Sequence, residues 1–300
     1  MKKFLYTESM ARYVPDILTK RWVIIAAGRI NRPEDIHQKA AKKICPFCPG
    51  NEALTTHEVF RIGKGSTDQN GWQVRVIPNK YPITDFHEVI IHSPHHDQDI
   101  EHLSVIEVTD ILKAYRERFN FYRDKGQVLI FCNHGEHSGA SITHPHSQLV
   151  VIPSQINLDT LTREPLNNIV EENKFFYSYC PEFSQWPYEV WLTPREKDQH
   201  FGDLKDDRLT DFAILLKKTL AQLEQVYENK KMGGDSFGYN YYIYPHSNWY
   251  LRIIPRFIHR AGFELGTGLS VNIVDPYNAS LDLKGVGEEM AGVLKKLKKF

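Results

Sequence analysis

The stretch His134–Pro153 reads HGEHSGASITHPHSQLVVIP, and its two parts follow different rules. The first part gathers His134, His137, His144 and His146 beside glycine and serine. The second, SQLVVIP, is a smooth apolar run of strand length that ends at proline. On an extended backbone residues i and i+2 share a face, so His144 and His146 lie side by side, with Pro145 fixing the φ between them. Two such imidazoles cannot easily both meet one metal ion at good angles. One is a candidate ligand, and the other can present a ring nitrogen to a substrate. A neutral imidazole steadied by a backbone carbonyl is a competent nucleophile at phosphorus. The preceding HSGAS offers a glycine for close backbone approach and small hydroxyls for a phosphate.

Working outward, QVLIFCN before the loop and SQLVVIP after it read as two strands, preceded by a helix. Ser104 and Glu107 form a capping box, and Val108, Ile111, Leu112, Tyr115 and Phe119 recur at helical spacing. RWVIIAAGR around Ile24 reads as a short buried strand, and WQVRVIPN and HEVIIHSPHH read as two more. The order then repeats. Leu209, Phe212, Leu216, Leu220 and Leu223 mark a second amphipathic helix, followed by Gly233–Gly234, FGYNYYIYP and NWYLRIIP. Pro153 and Pro255 close matching strands about 100 residues apart, which points to a diverged internal duplication. The expected fold is therefore α+β, with two halves, 1–155 and 156–300, each an antiparallel sheet with a long helix.

Composition removes several classes of function. Lys plus Arg (37) equals Asp plus Glu (37) across 300 residues, so no net charge draws the chain to nucleic acid. No apolar stretch approaches the roughly 20 residues needed to span a bilayer, and the N-terminus carries too short an apolar segment for a secretory signal. The expectation is a soluble cytoplasmic protein. Two of the four cysteines, Cys45 and Cys48, form a C-x-x-C, which suits a zinc knuckle better than a disulfide framework. With no second C-x-x-C, the remaining ligands should be imidazoles, and His92, His95, His96, His134, His137, His144 and His146 are all available. His37, His57, His87, His200, His246 and His259 read as structural histidines.

CPFCPGNE from Cys45, SPHH from Ser93, NHG from Asn133 and SITHPHSQ from Ser141 occur in this order. Together with RWVIIAAGRINRP and RVIPNKYP, they resemble the motifs of the galactose-1-phosphate uridylyltransferase family of the histidine-triad superfamily. That resemblance implies two histidine-triad-like halves and zinc on Cys45, Cys48, His96 and His144. It implies His146 as the nucleophile, Gln148 and Ser141 on the transferred phosphate, and Arg29, Arg32, Asn79, Lys80 and Asn133 as nucleotide contacts. It also implies a homodimer and a ping-pong reaction, in which UMP passes from UDP-glucose to His146 and then to galactose 1-phosphate.

Two departures stand out. Where some family members carry a second metal site on an H-x-H segment, this chain has Asn248-Trp-Tyr250, which predicts no second site. The hexose-reading segment keeps Glu264 within GFELGTG but places Ser270 near the position of a glutamine. This tail resembles relatives that use phosphate on an ADP-sugar, so an ADP-glucose phosphorylase is the alternative activity. A zinc-stabilised nucleotide-binding protein without turnover and a histidine-triad hydrolase are the readings from other classes.

Overall fold

The computed structural model describes residues 11–16, 22–26, 29, 44–158, 161–232 and 236–285. Two short strands, β1 (Arg12–Pro15) and β2 (Trp22–Ile25), form an antiparallel ribbon with Arg12 opposite Ile25. The expected strand at Ile24 is present, but it is not buried: Trp22 is 39% and Val23 55% exposed. It pairs with β1 instead of entering the main sheet, so its apolar run lacks the two covered faces that such runs usually have.

The remaining strands are β3 (Phe60–Gly63), β4 (Trp72–Pro78), β5 (His87–Ile91), β6 (Gln127–His134) and β7 (His146–Ile152) from one half of the sequence. The other half supplies β8 (Ile169–Glu172), β9 (Phe176–Tyr179), β10 (Val190–Pro194), β11 (Tyr239–Ile243) and β12 (Leu251–Pro255). They form one ten-stranded sheet in the order β3-β4-β5-β7-β6-β11-β12-β10-β9-β8. Each neighbouring pair is antiparallel. The first five and the last five meet at β6 and β11, where Asn133 sits opposite Asn240. The α+β class is as the sequence implies.

One face of the sheet carries the helices. α1 (Val105–Tyr122) begins with the expected capping box, Ser104 accepting from the Glu107 amide and the Glu107 carboxylate accepting from the Ser104 amide. Its residues Ile111, Tyr115 and Phe119 are buried, as are Leu209, Phe212, Leu216, Leu220 and Leu223 of α2 (Asp206–Lys230). Both helices join Ile130, Leu149, Tyr241 and Ile253 in the main core. A buried ion pair ties α1 to β5: Arg118 grips Glu88 with two N–H groups at 2.9 and 2.6 Å, and Tyr122 donates to the same carboxylate at 2.8 Å. Two short helices, α3 (Gly262–Thr267) and α4 (Pro276–Leu283), follow β12. Among the described residues no helix is long and apolar enough to cross a membrane. Gly233–Gly234 lies outside the described residues.

Candidate active site

Alternation along β7 splits its side chains between the two faces. Leu149 and Val151 enter the helix-side core. Ser147, on the same side, meets His92 Nε2 at 2.7 Å, Tyr241 at 3.1 Å and Tyr115. His146, Gln148 and Val150 take the opposite face. Their partners across β5 are Ile91, Val89 and His87.

At the mouth of the β6–β7 hairpin a cavity of about 400 Å³ is lined by His146, His144, His96, Asn133, His134 and Asp99, among others. His146 is buried, and its Nδ1–H donates to its own neighbour's carbonyl, that of His144, at 2.9 Å. A carbonyl only accepts, so the proton sits on Nδ1 and the lone pair on Nε2. Phe47 packs edge-on against the same ring, with centroids 5.3 Å apart.

Cys45, Cys48, His96 and His144 bring one ligand atom each within 4.8 Å of one another. Cys48 Sγ is 3.3 Å from His96 Nδ1 and 3.6 Å from His144 Nδ1, and Cys45 Sγ is 3.8 Å from His144 Nδ1. Ligand atoms about 2.0 to 2.3 Å from a tetrahedral zinc stand roughly 3.5 Å apart, so the spacing fits. The tautomers fit as well. His144 donates Nε2–H to the Ser93 carbonyl at 2.9 Å, which leaves Nδ1 with its lone pair toward the thiols. Burial pushes the His144 pKa down to about 4, keeping it neutral as a ligand must be, and burial pushes the Cys45 thiol up to about 11. A divalent cation would reverse that second cost.

Other candidate ligands have other partners. His92 is fully enclosed with Ser147 and Tyr115, and burial drives its pKa well below the ordinary value. His95 faces Glu107 at 3.4 Å, and His137 packs edge-on against His259. His134 pairs with Asp99 at 3.1 Å. Burial opposes its charge, but the Asp99 hydrogen bond outweighs that and holds its pKa above the usual value.

Gln148 lies in a separate string of contacts. Its Oε1 meets His87 Nε2 at 2.9 Å and Asn79 Nδ2 at 3.4 Å, and Arg29 donates to the Tyr81 carbonyl at 2.6 Å nearby in sequence. Lys80 is exposed above the Tyr81 ring. Ser141 sits between Ala140 and Ile142, which line the cavity. Glu264 accepts from the Ala261 amide at the start of α3 and is not among the cavity's lining residues. Arg32 lies outside the described residues. Of the two loop glycines, Gly139 has open space where a Cβ would be and needs glycine for its φ of +80°; the close approach belongs to Gly135, whose Cβ would stand 2.8 Å from Gly238 Cα. His87, Asn240 and Asp99 were not marked as site residues by sequence, although HEVIIHSPHH does place His87 at a strand start.

A family model for the N-terminal domain of galactose-1-phosphate uridyl transferase matches residues 86–152. ADP-glucose phosphorylase from Arabidopsis thaliana is 28% identical, over 90% of this chain and 92% of its own. Galactose-1-phosphate uridylyltransferase from Haemophilus influenzae is 23% identical, over 72% and 74%. The resemblance to the galactose-1-phosphate uridylyltransferase family is borne out. A crystal structure of an Arabidopsis thaliana ADP-glucose phosphorylase with bound ADP-glucose superposes with a TM-score of 0.67 at 26% identity, covering 91% of this chain and 98% of that one. The uridylyl transferase match runs from the start of β5 to the end of β7. It therefore takes in His96, Asn133, His144, His146 and Gln148 and stops short of the Cys45–Cys48 knuckle. The similarity to ADP-glucose phosphorylase spans both halves. The chain is thus similar to enzymes of the nucleotidyltransferase and phosphorylase kind.

Proposed function

We propose that this chain moves AMP from ADP-glucose to inorganic phosphate through a covalent adduct on His146. The observation that carries the covalent step is the His146 Nδ1–H bond to the His144 carbonyl, which puts a lone pair on Nε2 of a ring lining the cavity. In the first step that pair forms a bond to the α-phosphorus, while the bond to the bridging oxygen breaks and glucose 1-phosphate leaves with its electrons. In the second, a phosphate oxygen attacks phosphorus, the P–N bond breaks, and the pair returns to Nε2. Both leaving and attacking atoms are phosphate oxygens, so neither step needs a strong base.

Gln148 and Ser141 would donate to non-bridging oxygens, where charge builds. Arg29, Arg32, Asn79, Lys80 and Asn133 would hold the nucleotide, and Glu264 the hexose, on the strength of the resemblance. Cys45, Cys48, His96 and His144 would hold zinc in a structural role. When bound it neutralises two thiolates and ties three loops together, and Phe47 between the cysteines braces His146. Similarity to ADP-glucose phosphorylase over 90% of this chain supports ADP-glucose and phosphate as the pair. The second reading, UMP transfer from UDP-glucose to galactose 1-phosphate, is favoured by the N-terminal domain match and by the Haemophilus relative. In either case we place the chain in the cytoplasm as a homodimer.

Isolated nucleotidyl-enzyme separates the two. Challenged in parallel with phosphate and with galactose 1-phosphate, it should release ADP with phosphate. Discharge by galactose 1-phosphate alone would install the uridylyltransferase reading instead.

A further inference from the structure

Two of the carboxamides proposed for the substrate, Gln148 on the transferred phosphate and Asn133 on the nucleotide, share a feature: each has its carbonyl oxygen held by a donor from elsewhere in the fold. The backbone N–H of Ile83 donates to His87 Nδ1 at 3.0 Å, so that nitrogen carries the lone pair and the ring proton sits on Nε2. Nε2–H then donates to Gln148 Oε1 at 2.9 Å. Asn79 Nδ2 stands beside both, 3.1 Å from His87 Nε2 and 3.4 Å from Gln148 Oε1, and Asn79 is itself oriented by the Tyr81 amide on its Oδ1 at 2.8 Å. With the His87 Nε2–H on Oε1, the Gln148 amide turns its N–H groups the other way. His87 is 4% and Gln148 5% exposed, so water has little access to compete for these groups.

Across the seam of the sheet the same arrangement recurs. Asn240 on β11 donates Nδ2 to Asn133 Oδ1 at 2.8 Å and to the Ser138 carbonyl at 2.9 Å. Asn133 lines the cavity, and its carbonyl is thereby turned toward Asn240. An amide in the flipped orientation would aim lone pairs at an anionic phosphate and leave a buried donor facing a donor.

We propose that His87 and Asn240 are positioning residues that lock Gln148 and Asn133 as hydrogen-bond donors toward the bound nucleotide and its transferred phosphate, an inference that rests on the nucleotidyl-transfer reading above. His87 belongs to the half that carries His146, whereas Asn240 comes from the other half. The site therefore needs the second half for amide orientation at the seam.

The test is a double-mutant cycle on the single-turnover rate of adduct formation from ADP-glucose, with thermal melts to monitor folding. Removing one donor from such a site costs about 10²–10³ in rate, and loss of its orientation should cost about 10–100-fold. His87→Ala is expected to show that loss, yet H87A/Q148A should lie within about twofold of Q148A, because the effect passes through one amide. His87→Gln, whose amide N–H falls where Nε2–H was, should recover most of the rate, and it serves if His87→Ala fails to fold. Asn240→Asp replaces donor by acceptor at unchanged size, and its loss should vanish in the N133A background. Losses that multiply in both cycles would mean that His87 and Asn240 act only structurally and would overturn the inference alone. A well-folded wild type that forms no adduct would overturn the nucleotidyl-transfer reading and this inference with it.

Discussion

At the scale of single residues, backbone carbonyls fix the tautomers of two histidines at the candidate site. His146 opens β7 and His144 lies two residues before it, yet each is bonded to a carbonyl through a different ring nitrogen. His146 uses Nδ1–H and His144 uses Nε2–H. The first choice puts the lone pair on Nε2, the atom proposed to attack phosphorus, and the second puts it on Nδ1, on the side of the cysteines. Cys45→Ser should therefore lower bound zinc well below one per chain and lower the melting temperature, because metal binding is coupled to folding of the loops it joins. Metal analysis after dialysis checks this, and unchanged zinc would remove Cys45 from the ligand set. The H-P-H triplet and the C-x-x-C were legible in sequence because spacing alone puts each pair together. His87 was not. It reaches Gln148 only through the β5–β7 register, in which Val89 sits opposite Gln148, and register is a property of the assembled sheet.

At the scale of elements, α1 and α2 follow directly from their apolar spacing, and every core position named from sequence in them is buried. The capping box at Ser104 satisfies two amides that the first turn cannot. Ser104→Ala should cost about 1 kcal/mol of stability without touching the site, measurable as a shift in the urea midpoint at constant slope. Strands were uneven. β4 to β7, β11 and β12 are long or alternating enough to read. β3, β8 and β9 have four residues each, too few for a period-2 signal against their polar surroundings. In β10 all five residues are buried, including Thr193 and Pro194 at its end, a run with no alternation to mark it. The reverse error at β2 has the same origin: VII looks like an interior run wherever it lies, and only the pairing shows that it is on a ribbon.

At the scale of the whole molecule, the sheet order places five strands from residues 60–152 beside five from residues 169–255. We propose that these are the two diverged halves, 1–155 and 156–300, and the mirrored order supports that proposal. The face that carries His146 in one half carries a stack of Trp191 on Tyr250 and Tyr250 on Tyr244 in the other. Near the seam, burial and the neighbouring Asp99 push the Glu101 carboxyl up to about 7, with His134, Glu224 and Tyr239 also facing it. The native state then holds a proton that the unfolded chain releases near its ordinary value, so stability falls as pH rises from about 4.5 to about 7. His134, with its raised pKa, acts in the same direction, its contribution being lost as pH rises above the usual histidine range. Glu101→Gln should match wild type near pH 5 and become more stable toward pH 8, by about 3 kcal/mol at most, since one pKa unit is about 1.4 kcal/mol. Melting curves across that range check the sign. Intact-protein mass after brief incubation with ADP-glucose, in parallel with UDP-glucose, reads the covalent step on His146. The expected result is a gain of one AMP, absent in a folded, zinc-loaded His146→Gly variant. A gain of UMP alone would give the donor to the uridylyltransferase reading, and no gain with either donor would rule out the covalent step and leave a protein that binds nucleotides without transferring them.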